Sequence, residues 1–448
     1  MTVMDGERKF FIAALGCPKN IVEAELISGA FLAGGDSLCF DPEDADIYIV
    51  NTCAFLPEAR AEAAAEIAAA VEWKAGHPER KIAVAGCLMN HAQFPEFKAY
   101  FKEVDLWCKV NDTAKIRDLL DGRVKASRAR KCTYLCDETM PRMQLTLPHV
   151  AYLKICDGCD NHCAYCAIPG LRGALRSRPL ESVISEAKTL LGNGVKELIV
   201  IAQDITAYGH DRKDGATLAG LLRELEALPG DFVIRLLYTH PAHYTDELIG
   251  VLASSRKILP YLDMPLQHIS DRILLAMNRH IDSAGIRALI RRLRAEIPQL
   301  TLRTTFIAGL PGESEAEFEE LCEFVKEAGF ERMGVFPYAP EPGTVAAEMA
   351  DQVPSDVAGA RAEKLMQLQS DIMKRSQRKR IGSSMRVLVD YIDDGVAFCR
   401  GACDAPDIDN AVQVPAAKTL HPGDFVDVTV VKTFRGDLLA EKRRKGGR

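Results

Sequence analysis

Three apolar, strand-like runs near the amino terminus each end on a cysteine: FFIAALGC at Cys17, ADIYIVNTC at Cys53 and KIAVAGC at Cys87. The stretches between them, NIVEAELISGAFLAGG and the alanine-rich PEARAEAAAEIAAAVEWKAG, carry helical patterning, so strand and helix alternate as in a parallel α/β sheet. Such a sheet lines up the carboxyl ends of its strands along one edge, where ligands bind. Three cysteines far apart in sequence are therefore expected to meet there. Each precedes a turn or helix start, CPKN, CAFLPE or CLMN, whose free N–H groups stabilise thiolate or sulfide charge. One strand-end cysteine is most simply a small buried hydrophobe; three in the same topological position argue for ligation.

At 448 residues the chain exceeds one ordinary core and is expected to divide into roughly two to four domains. No uninterrupted apolar run is long enough to span a bilayer, and the start MTVMDGERKF lacks the apolar segment of a signal peptide. Neither membrane nor export is expected, and the cytoplasm is the expected compartment. Its reducing conditions disfavour structural disulfides, which shifts the 14 cysteines toward metal ligation or catalysis. A formal charge of -7 argues against a generally basic nucleic-acid binder.

A second concentration of cysteine lies in KICDGCDNHCAYCAIPG, directly after the strand-like HVAYLKI: Cys156, Cys159, Cys163 and Cys166. A structural zinc site normally takes four ligands from two separated pairs, and no matching C-x2-C follows at the usual distance. The last three form C-x3-C-x2-C, and three thiolates leave one iron of a four-iron cluster free for a substrate or cofactor. This motif, with aromatic Tyr165 just before its last cysteine, resembles that of the radical S-adenosylmethionine superfamily. The resemblance implies that Cys159, Cys163 and Cys166 are the catalytic ligands of a 4Fe-4S cluster whose open iron chelates the amino and carboxylate groups of S-adenosylmethionine. Cys156 is then a passive, buried spare.

Downstream, ELIVIAQD, VIRLLYTHP, LPYLDMPLQH, LTLRTTFIAGLPGE and RMGVFPYAP alternate with helical patterns, which predicts a wholly or partly closed (β/α) barrel with its site at the carboxyl ends of the strands. Gln203 and Asp204 end one run, Gln267 and His268 another. GLPGE, Gly309 to Glu313, resembles the glycine-containing turn through which the superfamily approaches the cofactor. Candidate cofactor contacts are therefore Tyr165, Gln203, Arg303, Gly309 and Gly312; His268 reads equally as a satisfied core histidine. The charged stretch VAGARAEKLMQLQSDIMKRSQRKRIG reads as a solvated helix joining domains. Short alternating strands follow, MRVLVDYID, GVAFCRG, AVQVP, DFVDVTVVKTF and DLLAEK, as in a small β-barrel. Their placement and the segment CDAPDIDN resemble a TRAM domain, in which Cys399 and Cys403 read as packing residues. Between Gly382 and Val431 eight aspartates stand against Arg386, Arg400 and Lys418, a balance that repels phosphates and suits a basic partner.

The expected architecture is α/β: an N-terminal parallel α/β sheet domain (1–145), a central radical SAM (β/α) partial TIM barrel (146–378) and a small C-terminal TRAM β-barrel (379–448). This combination resembles the methylthiotransferases over nearly the whole chain. LGCPKN, Leu15 to Asn20, and DMPLQHISDRIL, Asp263 to Leu274, look like the branch that modifies a ribosomal protein; the tRNA-modifying branch tends toward GCQMN and QSGS. The resemblance implies an auxiliary 4Fe-4S cluster on Cys17, Cys53 and Cys87 beside the first, and S-adenosylmethionine as cofactor. It further implies methylthiolation of the β-carbon of an aspartate in small-subunit ribosomal protein S-twelve, with an electron donor such as flavodoxin or ferredoxin and no tRNA or membrane partner. An unactivated C–H bond lies beyond acid–base chemistry and calls for such a cofactor. Two alternatives stay open: a tRNA adenosine methylthiotransferase, and a non-catalytic iron–sulfur or zinc scaffold that binds the ribosome.

Overall fold

The computed structural model describes residues 7–129, 131–415 and 419–443; Lys418, counted above, lies outside them, as does most of the basic tail. The first sheet is parallel: β1 (Lys9–Ala14), β2 (Ser37–Leu38), β3 (Ile47–Thr52), β4 (Lys81–Gly86) and β5 (Leu106–Trp107), ordered β2-β1-β3-β4-β5. Every residue of β3 is buried, which is why IYIVNT reads as a nearly continuous apolar run rather than an alternating one. Ala14 pairs with Asn51 and Thr52 with Gly86, so Cys17, Cys53 and Cys87 leave three adjacent strands at the same edge.

The second sheet holds six parallel strands, β6 (Val150–Lys154), β9 (Glu197–Ile201), β10 (Val233–Leu236), β11 (Ile258–Asp263), β12 (Thr301–Ala308) and β13 (Arg332–Pro337), ordered β13-β12-β11-β10-β9-β6 and open between the two ends. The short antiparallel pair β7 (Cys156–Asp157) and β8 (Arg176–Ser177) brackets the cysteine loop. Along each strand the side chains alternate. Leu198, Val200, Leu236 and Leu302 pack outward against the surrounding helices. Tyr152, Ile199, Ile201 and Tyr261 instead share an inner cluster with Val22 and Leu26. The helix Pro18–Ala33 of the first sheet thereby fills the open side of the second.

A closed five-stranded barrel ends the fold: β14 (Ser384–Asp393), β15 (Val396–Arg400), β16 (Val412–Pro415), β17 (Phe425–Phe434) and β18 (Asp437–Lys442), ordered β14-β15-β16-β18-β17. Two expectations are corrected. The helix Ser355–Lys379 is not simply solvated, because Ala358, Ala362, Leu365, Gln369 and Ile372 are buried. These positions recur at helical spacing, so one face covers the sheet while the charges occupy the other. The acidic balance is also not all surface: Asp390 pairs with Arg400, Asp404 with Arg332 and Asp409 with Arg303. Counting charges along a sequence cannot separate internal ion pairs from solvated ones; Asp393, Asp394, Asp407 and Asp427 are exposed, and half-buried Asp424 accepts from His421 N at 2.9 Å. Among the described residues no helix is long and apolar enough to cross a membrane.

Candidate functional site: two cysteine triads across one cleft

The first triad depends on unusually close backbone approach. Gly16 sits at φ +87°, and a Cβ there would lie 2.4 Å from Cys53 Cβ and 3.0 Å from its Sγ, so only glycine lets the Cys17 turn pass over Cys53. Asn20 ties the strand ends together, its Nδ2 donating to Leu15 O at 3.1 Å and Thr52 O at 2.8 Å. Burial pushes the Cys87 thiol up to about 12, with the Arg172 charge pulling the other way, and burial also raises Cys53. Arg172 donates to Cys87 Sγ from Nε at 3.2 Å and from Nη2 at 2.9 Å.

The second triad lies on the loop between β7 and the helix Ile168–Arg172. Cys166 N donates to Cys163 O at 3.0 Å, Ala164 N to Met277 O at 3.0 Å and Ala346 N to Ala164 O at 2.8 Å, which fixes the loop against two distant segments. Arg279 donates from Nη1 to Cys163 Sγ at 3.4 Å and Tyr165 Oη at 3.3 Å, and from Nη2 to Pro265 O at 2.5 Å. Burial drives the Cys159 and Cys166 thiols up to about 12. Thiolates buried in this way require a compensating cation or cluster, and binding one releases their protons. Among the described residues neither triad brings its three sulfurs within 4.8 Å of one another. One tetrahedral zinc ion with Zn–S bonds near 2.3 Å would hold its sulfurs about 3.8 Å apart, closer than either triad stands.

A cleft of about 360 Å³ borders the second triad, lined by Cys163 and Cys166, by Asn90 and His91 three and four residues beyond Cys87, and by Gly343 and Thr344. Its wall is cross-linked between domains. Arg60 Nη1 donates to Glu341 Oε2 at 2.9 Å, and His91 Nε2 meets the same carboxylate.

The other sequence candidates separate into groups. Gln203 donates from Nε2 to Asp157 Oδ1 at 3.0 Å, while its Oε1 is buried without a hydrogen-bond partner, as are Gln267 Oε1 and His240 Nε2. All three follow the carboxyl ends of β9, β10 and β11. Tyr165 is held by Arg279 as described. Gly309, at φ +82°, would place a Cβ 2.4 Å from Ala358 Cβ, and its N–H donates to Glu313 Oε2 at 2.9 Å. Gly312 closes the same turn through its N–H to Asp351 O at 2.8 Å. Arg303 lies inside the barrel but early in β12, with its guanidinium 3.2 Å from Asp409 and 3.6 Å from Asp263. His268 is fully buried; its Nδ1 accepts from Ser270 N at 3.0 Å. Cys156 is fully buried too, its Sγ 3.8 Å from Asp204 O.

Asp204, His240 and His243 form a further cluster, one ligand-type atom from each lying within 4.8 Å of the others. His240 Nδ1 accepts from Ala242 N at 3.3 Å, and burial followed by the Arg279 charge lowers His240 to about 2. The neutral ring therefore carries its proton on Nε2 and offers a hydrogen-bond donor rather than a lone pair for a metal. Sequence reading singles out Asp204 at the end of its run but misses His240 and His243, together with Arg172 and Arg279. Arg172 had a local signal, in following the third cysteine of the motif by one short helix; Arg279 had none, since it meets Cys163 across 116 residues.

Comparison with known proteins agrees with this geometry. The radical SAM superfamily matches residues 153–325, an uncharacterised protein family, UPF0004, matches 9–109, and the TRAM domain matches 381–442. The protein called ribosomal protein uS12 methylthiotransferase RimO in Akkermansia muciniphila is 42% identical, over 96% of this chain and 99% of its own. Its counterpart in Geobacter sulfurreducens is 41% identical over 98% and 99%. Among solved structures, the radical S-adenosylmethionine methyltransferase TsrM from Kitasatospora setae shares the fold, with a TM-score of 0.55 at 14% identity over 76% of this chain and 75% of that one. The radical enzyme OxsB does so with a TM-score of 0.52 at 11% identity over 84% and 61%. Fold, cysteine triads and relatives define a radical SAM methylthiotransferase, an enzyme that works with S-adenosylmethionine and 4Fe-4S iron–sulfur chemistry. Within that class the chain belongs to the RimO family.

Proposed function

We propose that this enzyme adds a methylthio group to the β-carbon of an aspartate in ribosomal protein uS12, the S-twelve protein of the small subunit. One 4Fe-4S cluster is assigned to Cys159, Cys163 and Cys166 and an auxiliary one to Cys17, Cys53 and Cys87. The observation that carries this reading is a cleft bordered by Cys163 and Cys166 on one side and, on the other, by Asn90 and His91 of the turn that Cys87 opens. A substrate loop entering it approaches both sites at once. The substrate itself comes from the name of relatives that align over nearly the whole chain. Domain limits of 1–145, 146–378 and 379–448, a flavodoxin- or ferredoxin-type electron donor and a cytoplasmic location complete the proposal.

Bound S-adenosylmethionine, on one-electron reduction, supplies a radical able to take hydrogen from an unactivated carbon. The chain's own residues position and shield that chemistry. Arg279 pins Tyr165 and the Cys163 sulfur in one orientation. Gln203 and Tyr165, with the Gly309–Gly312 turn, are the proposed cofactor contacts. Arg303, tied to Asp409 and Asp263, shapes the floor of the barrel beneath them.

The test is anaerobic reconstitution with iron and sulfide, followed by dithionite, S-adenosylmethionine and a peptide carrying the uS12 loop beside an adenosine-modified tRNA. The expected product is peptide heavier by one methylthio group. Cys159→Ala should abolish 5′-deoxyadenosine formation, whereas Cys87→Ala should leave it and stop sulfur insertion. Modified tRNA beside untouched peptide, or methylthiolation by Cys87→Ala, would overturn the reading.

A further inference from the structure

We propose that Arg172 is a positioning residue that sets the charge on the auxiliary cluster through Cys87 and ties that cluster to the loop of the other triad; this rests on Cys17, Cys53 and Cys87 being cluster ligands. Arg172 ends the helix Ile168–Arg172, which opens just after Cys166. At 1% exposure its guanidinium turns two N–H groups onto one sulfur, from Nε at 3.2 Å and Nη2 at 2.9 Å. Nη2 shares its hydrogens with Asn20 Oδ1 at 3.0 Å, three residues beyond Cys17, and with Glu23 Oε2 at 2.9 Å. The remaining nitrogen meets Glu23, which Lys154 also reaches, at 3.2 Å, while Lys154 donates to Asp157 at 2.7 Å. A second tie runs alongside: Asn90 Nδ2 donates to Leu171 O at 2.8 Å. The helix is therefore bound to the Cys87 turn at its far end and to Cys166 at its near end.

A buried arginine needs a partner, and Glu23 alone would satisfy that need. The geometry adds something different. Arg172 and Lys154 already balance Glu23 and Asp157, so the two N–H groups directed at Cys87 meet a sulfur that becomes anionic only when it ligates metal. Donors on a cluster sulfur favour the more negative, reduced form and so raise its potential. A substitution at Arg172 and one at Glu23 should therefore move that potential in opposite directions, which a purely structural role would not do.

The experiment uses the full chain carrying Cys159→Ala, Cys163→Ala and Cys166→Ala, so that only the first triad binds iron. After anaerobic reconstitution, one electron per cluster is supplied by dithionite under potentiometric control and followed by EPR. Arg172→Gln should lower the midpoint, Arg172→Lys should lower it less, and Glu23→Gln should raise it. Unchanged midpoints, or shifts of one sign in both Gln variants, would overturn the proposal. If Arg172→Gln fails to assemble a cluster, the sign of the Glu23→Gln shift decides. A parent protein that binds no iron would instead remove the ligand assignment, and the proposal with it.

Discussion

Replacing Asp409 by asparagine should loosen the terminal barrel from the central one without changing the shape of the contact. The Asp409 carboxylate, 1% exposed, lies 3.2 Å from Arg303 Nη1 and 3.3 Å from Arg332 Nε. It accepts from Tyr261 Oη at 2.6 Å and from Ala405 N at 2.9 Å. Breaking a buried ion pair costs about 3–5 kcal/mol. Here the loss is softened, because Arg332 keeps Asp404 at 2.6 Å and Arg303 keeps Asp263 at 3.6 Å. About 2–3 kcal/mol is the reasoned remainder, which speeds local opening roughly 30- to 160-fold. Amide hydrogen exchange of peptides spanning 401–410 reads that opening directly, with Asp394→Asn, an exposed acid of the same barrel, as the unchanged control. Exchange accelerated less than about fivefold (~1 kcal/mol) would refute the view that this acid is internal glue rather than surface charge.

Gly16→Ala forces alanine to φ +87° and its Cβ to 2.4 Å from Cys53, a backbone strain of about 1–2 kcal/mol before any clash. Iron content should fall toward that of a protein lacking the first triad while 5′-deoxyadenosine is still formed. Arg279→Met removes donors from Cys163 and Tyr165, and cofactor cleavage should slow roughly 10- to 100-fold in a single-turnover assay. At Glu317 burial opposes ionisation, but hydrogen bonds from Arg272, Ser314 and Ser270 prevail and draw the carboxyl down to about 2. The stabilisation it gives is present above the ordinary value of 4.5 and is lost as pH falls toward 2. Glu317→Gln should accordingly flatten the acid limb of a stability–pH curve over that window, measured by urea denaturation.

What the sequence made legible was periodic or local. The alternation around FFIAALGC, ADIYIVNTC and KIAVAGC carried both the parallel sheet and the shared edge, because register in β1, β3 and β4 follows from their apolar runs. C-x3-C-x2-C needed no tertiary information. Contacts closed over long loops were not legible: Arg279 meets Cys163 across 116 residues with no local signal, and the place of Arg172 after the motif does not say that it reaches Cys87, 85 residues away. The buried face of the linking helix is hard to read because Arg361, Gln369 and Gln377 share it with Ala358, Ala362, Leu365 and Ile372. The aspartate count overstates the surface charge because Asp404 and Asp409 meet arginines of the central domain and Asp390 meets Arg400 inside its own barrel.

The distribution of unsatisfied groups inside the barrel indicates where a ligand belongs. Near the amino ends of the strands the polar interior is well paired, with Glu197 between Arg235 and Arg400, and Asp409 among Arg303, Arg332 and Tyr261. At the carboxyl ends Gln203 Oε1, His240 Nε2 and Gln267 Oε1 are buried and unpaired, each at a cost of about 1–3 kcal/mol. Gln267 adds a left-handed backbone at φ +74°, a further strain for a non-glycine residue. The helix Pro18–Ala33 closes the side and the segment around Asp404 and Asp409 packs against the amino ends. These two acceptors and one donor are thus among the unpaired groups, with His268 Nε2 and Tyr338 Oη, that the described residues leave beyond the carboxyl ends of the strands. A polar cofactor bound there recovers what the folded chain gives up, so S-adenosylmethionine should stabilise the reconstituted enzyme against heat, and less so when Gln203 is replaced by leucine.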